Sequence, residues 1–152
     1  MEWEMVNALV AAIAVLITLV GVWYAALQLR AGQKTAKGDF LLRLDDAFQR
    51  HQEVHRRLRP GGGWADETHG PATQAEWIMV EQYMGLFERI KVMVDDGIID
   101  LDTVDRLYGY RLFNIVGNPI IRRAKLESEA ASWRDFIGLW QALEARRTAT
   151  AR

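Results

Sequence analysis

The 152-residue sequence has no cysteine, only three prolines and no lysine or arginine before Arg30. Without cysteine there are no disulfides, no thiolate nucleophile and no cysteine-ligated zinc. Few prolines leave long helices unbroken, and Pro60, Pro71 and Pro119 mark the few positions where the chain must turn. A basic excess is also missing: 19 lysines and arginines face 20 acidic residues, for a net charge of -1. Phosphate backbones are bound by net positive surfaces, so this balance argues against a specific nucleic-acid binder. Runs of alternating strand residues are absent too, and the apolar periodicity is helical throughout.

The sequence does have one long apolar run. From Met5 to Leu29, MVNALVAAIAVLITLVGVWYAALQL, 25 residues pass without a charge. As a helix this run measures about 37 Å, more than the hydrocarbon core of about 30 Å. Trp3 flanks one end and Trp23 and Tyr24 the other, the placement of an aromatic belt. A cleaved signal peptide would start with positive charge and carry small residues after its apolar core. Here Glu2 and Glu4 precede the run, and bulky Trp23 and Tyr24 occupy the cleavage position, so the segment reads as an anchor. Arg30, Lys34, Lys37 and Arg43 follow it closely. By the positive-inside rule, the residues before the span lie outside and the rest of the chain lies in the cytoplasm.

Within the run, Asn7, Ala11, Ala14, Thr18, Gly21, Ala25 and Gln28 are spaced alternately by four and three. That 3.5-residue period holds one stripe on one helix face. Helices associate in lipid through small residues and interhelical hydrogen bonds, so the stripe predicts a helix-helix seam and a homo-oligomer.

The expected fold is all-α: one transmembrane helix followed by a small cytoplasmic bundle of about four helices. The divisions are an anchor over residues 1–29, a juxtamembrane segment over 30–37, a helical domain over 38–147 and a disordered tail over 148–152. A first cytoplasmic helix runs from about Gly38 to Leu58, with a joint near residues 32–38 as the alternative to one long helix. Pro60-Gly61-Gly62-Gly63 opens a mobile connection over 59–72. Thr73 and Glu76 form a capping box for a helix ending near Asp96, with Gly97 as its stop. Asp100 caps the next helix, Asn118-Pro119 breaks or kinks it, and a last helix runs from about Ser128 to Arg147.

Charge is segregated. Residues 30–59 hold eight basic and four acidic side chains, residues 66–105 two and ten, residues 106–152 nine and four. Internal complementarity between an acidic middle and basic flanks is the simplest account, with anionic lipid facing the first basic segment. Candidate contacts for an anionic ligand or a lipid headgroup are Arg30, Lys34, Lys37, Arg56, Arg57, Arg122, Arg123 and Lys125, with Arg59 beside the first arginine pair. No glycine-rich phosphate loop accompanies them.

His51 and His55 have a zinc-compatible i, i+4 spacing, but a third ligand would have to come from elsewhere, from His69 or a carboxylate. Both lie on or beside the apolar stripe, where partly buried histidines are ordinary, so no metal is expected. Asp95-Asp96-Gly97 fails as a calcium loop, because Val92 and Val94 occupy ligand positions. Glu76, Glu81 and Glu88 are helical-face carboxylates that could meet in space, but cap and surface roles are the default for them, so no catalytic residue and no cofactor is expected.

The stretch WIMVEQYMGLFERIKVMVDDGIIDLDTVDRLYGYRL, its core phrase LFERI…DDGIID and the later SWRDFIGLW resemble a domain-of-unknown-function family of short bacterial proteins. Those proteins combine an N-terminal membrane helix with a helical cytoplasmic domain. The similarity covers roughly residues 38–143 and implies architecture and a bacterial membrane setting, without catalytic residues. The resulting expectation is a non-enzymatic single-pass protein whose helical domain binds a protein or small-molecule partner. An oligomeric membrane effector gated by a small anion is the alternative, and a membrane-tethered hydrolase comes third.

Overall fold

The computed structural model describes the backbone of residues 2–150. Within the first helix it describes the side chains of Trp3, residues 17–29, Gly32 and residues 35–50. The described chain is all helix and turn, with no strand. The elements are α1 (Glu2–Arg50), α2 (Gln52–Leu58), α3 (Gln74–Asp95), α4 (Leu101–Val104), α5 (Tyr110–Gly117), α6 (Pro119–Ile121) and α7 (Arg134–Thr150). Two π-helical turns, Asp105–Gly109 and Arg122–Glu127, follow α4 and α6. The chain divides into two compact units, Met1–Asp39 and Phe40–Arg152.

In the first unit the backbone is helical through residues 30–39, so neither Gly32 nor Gly38 breaks α1. Every described side chain from Ile17 to Leu29 is exposed. Among the described residues no helix is long and apolar enough to cross a membrane. Residues 5–16, half of the apolar run, contribute no described side chain.

The second unit has a core. Val80, Tyr83, Met84, Phe87 and Ile90 form one buried face of α3, and Phe136, Leu139 and Leu143 form that of α7. The spacings of three, four and seven match the helical repeat, and α3 with α7 is the most extensive pairing. Phe48, from the end of α1, is the centre of an aromatic cluster. Its ring lies 5.6 Å from Tyr83 edge-on, 5.3 Å from Phe87 and 4.9 Å from Tyr108 in a stacked arrangement. Phe87 extends the cluster to Phe136 at 5.8 Å. Such pairs add roughly 0.5–1.5 kcal/mol each beyond area burial.

Local chemistry sets the boundaries. Thr73 Oγ1 accepts from the Glu76 amide and the Glu76 carboxylate accepts from the Thr73 amide, which is the expected capping box. At the other end Gly97 takes φ +69°, the Ile98 amide donates to the Met93 carbonyl and the Gly97 amide to Val94. That is a Schellman ending, and it needs a residue free to adopt the left-handed region. Asp100 accepts from the Thr103 amide at 2.7 Å, and Asn118 Oδ1 accepts from the Ile120 and Ile121 amides ahead of Pro119.

Three expectations need correction. The long first helix breaks at His51, where the His51 amide donates three residues back to Phe48. The last helix, α7, starts at Arg134; residues 128–133 are turn. The connection over 59–72 is packed, not loose. Trp64 is 6% exposed with the Arg57 guanidinium 4.8 Å over its ring, and Pro71 is buried. The Asn118 Nδ2 donates to the carbonyls of Trp64 and His69 at 2.9 and 2.8 Å. One buried amide thus caps α6 with its oxygen and holds the connection with its nitrogen. Gly62 has no alternative in this path, because a Cβ there would meet the Arg57 carbonyl oxygen at 2.3 Å.

Candidate functional site

Four ion pairs join distant segments among the described residues: Arg57–Glu76, Lys125–Glu81, Arg146–Asp102 and Arg147–Asp105. Each links a cation from a basic flank to a carboxylate in the acidic middle segment, the complementarity that the charge pattern implies. The last pair passes directly over Gly109, where a Cβ would lie 2.4 Å from Asp105 Oδ1. Glycine in the π-helical turn therefore leaves room for the bridge that ties it to α7.

Among the cations proposed to contact an anion, Arg56 and Arg57 share Glu53 at 2.7 Å. Lys125 is buried between Glu81 and Glu129, and Arg122 lies 3.5 Å from Glu127. Arg123 is exposed. Lys37 is half-buried. The side chains of Arg30 and Lys34 lie outside the described residues. So do those of Asn7, Ala11 and Ala14. Thr18, Gly21, Ala25 and Gln28 are exposed, as are all their neighbours, so exposure does not separate the stripe from the other faces of the helix.

The three carboxylates point to three different places. Glu76 holds the capping box and Arg57; the amides of Ala72 and Thr73 and the guanidinium bring its pKa down to about 2. Glu81 pairs with Lys125. Burial, then the neighbouring Asp135 carboxylate, raises the Glu88 pKa. No group of three metal-ligating side chains occurs among the described residues.

A different cluster comes together at the junction of α1, α2, α3 and α5. The His51 ring lies 6.3 Å from Tyr83 and the His55 ring 5.6 Å from Tyr110. Arg111, half-buried, donates from Nε to the Tyr110 hydroxyl at 2.9 Å and rests 5.0 Å over the Phe48 ring. Burial, then Arg50 and Arg89, lower the His51 pKa, while burial, then Arg111 and Arg59, lower that of His55. Arg50, Arg59, Arg89 and Arg111 have no ion pair among the described residues. His55 Nδ1 and the Tyr83 hydroxyl are buried without a well-formed hydrogen bond, and burial pushes the Tyr83 pKa up to about 12. A hollow of about 210 Å³ opens against His55, lined also by Gln52, Glu53, Arg56 and Arg59.

Sequence reading places Arg59 in a basic cluster but does not single out Arg50, Arg89 or Arg111. One signal was available: neither Arg59 nor Arg111 has an acidic residue within four positions on either side, so no partner exists within a helical turn.

No protein-family model, no curated protein and no solved structure matches this chain.

Proposed function

We propose that this chain is a non-enzymatic, single-pass protein of the bacterial inner membrane. In this reading Met5–Leu29 is the anchor, the residues before it lie outside, and the helical domain in the cytoplasm binds a partner or signal. The anchor associates with further copies through Asn7, Ala11, Ala14, Thr18, Gly21, Ala25 and Gln28. The observation that carries the reading is the run of 25 residues without a charge. The exposure of every described apolar side chain between Ile17 and Leu29 supports it, because such a surface calls for lipid or a partner.

The test is the mass of the detergent-solubilised protein by light scattering, beside Gly21→Leu. A Cβ at Gly21 meets nothing within 4 Å, so the substitution alters only what a neighbouring helix would touch. A wild-type oligomer that the variant reduces to monomer is the expected result. Equal masses would remove the seam.

A further inference from the structure

The cations of the helical domain fall into two sets, and the set without carboxylates gathers around His51 and His55. Arg111 is the most informative member. Its guanidinium is charged at every working pH and half-buried, yet its neighbours are aromatic: the Phe48 and Tyr110 rings, the Tyr110 hydroxyl and the Tyr83 phenol. A partly desolvated charge without a counter-charge is unfavourable unless an anion joins it. Arg59 lines the hollow against His55, and the Glu53 carboxylate on the same wall is already held by Arg56 and Arg57. His55 itself keeps an unpartnered, buried ring nitrogen, although buried polar atoms nearly always find a partner.

We propose that His55, Arg59 and Arg111 form a binding site for a phosphate-class dianion, carried by a soluble phosphate or phosphate ester or by a lipid headgroup. Two positive charges match a dianion better than a single carboxylate, and guanidinium forks suit phosphate oxygens. Burial and the two arginines keep His55 neutral, so its ring has one N–H to donate and adds no third charge. Arg50 and Arg89, beside His51, extend the positive field, and the Tyr83 and Tyr110 rings face the histidines. The site deepens the reading of a signal-binding domain, yet phosphate binding does not depend on the anchor.

The experiment follows the His55 ring resonances of the full chain in neutral detergent micelles, assigned with His55→Gln. One arm titrates inorganic phosphate against potassium chloride at matched ionic strength. The second dopes the micelles with phosphatidic acid. Saturable movement with phosphate supports the site with a soluble ligand, and movement only with phosphatidic acid supports it with a lipid headgroup. In either arm Arg59→Ala weakens binding by at least about tenfold, as expected for one charge-assisted contact. Arg111→Gln acts in the same direction. Should Arg111→Gln fail to fold, the exposed Arg59 decides. Resonances that follow phosphate and chloride alike and ignore the lipid overturn the proposal, as does saturation unchanged in Arg59→Ala. Neither result bears on the mass of the Gly21→Leu variant, so the two readings fail separately.

Discussion

Between Ile17 and Leu29 the large apolar side chains stand 41–71% exposed, whereas Phe48, Tyr83, Phe87, Phe136 and Leu143 in the helical domain are fully buried. Both regions are rich in apolar residues, and they differ in how those residues are arranged. The domain places its apolar positions on one face of each helix, so that neighbouring faces close on one another. The N-terminal run is apolar on every face except the stripe of small and polar residues, so no single face can hide it. A segment built this way calls for surroundings that are themselves apolar. The contrast separates a domain that supplies its own core from a helix that looks outward for one.

The sharpest way to break that contrast is to truncate one apolar side chain in each region. Phe48→Ala is expected to cost about 3–5 kcal/mol, because it empties the centre of the aromatic cluster. Leu19→Ala is expected to change stability by less than about 0.5 kcal/mol. Urea unfolding in detergent checks both, and equal losses would erase the distinction.

A smaller effect concerns pH. His51 and His55 have folded pKa values below the ordinary 6.5, so the unfolded chain binds protons more readily than the folded one. Their contribution is complete above the unfolded value and declines as pH falls below it. Melting temperatures of wild type should therefore drop on acidification through that window, and His51→Gln/His55→Gln should flatten the slope. A slope unchanged in the double variant would show that the histidines are not held neutral by the fold. Glu76 and Asp66, both near pKa 2, contribute a separate loss confined to more acidic conditions.

Signals written within one turn of chain were legible. The Thr73–Glu76 box, the Gly97 ending, the Asp100 cap and the Asn118-Pro119 junction each depend on residues at most five apart, and all occur as read. The charge blocks also foretold the long-range ion pairs, because their sign is a bulk property. Contacts across the fold were not legible. The Asn118 amide meets Trp64 and His69 carbonyls 54 and 49 residues away, and nothing local turns the glycine-rich stretch into a packed connection. The break at His51 carries neither proline nor glycine, so no breaker residue marks it in the sequence. The candidate site was half-visible: basic residues beside His51 and His55 were apparent, and the lack of acidic neighbours marks Arg59 and Arg111, but spacing does not reveal that Arg57 pairs with Glu76 or that Arg111 lies over the Phe48 ring.

The central claim is that the N-terminal run resides in lipid while the helical domain does not need to. Alkaline carbonate extraction of membranes from cells expressing the full chain tests it most directly, beside a Leu19→Arg/Val20→Arg variant. The account predicts that the wild type stays with the membrane pellet and that the double variant moves to the supernatant, since an arginine at the centre of a span opposes insertion by about 2.5–3.5 kcal/mol. Wild-type protein released into the supernatant would contradict it.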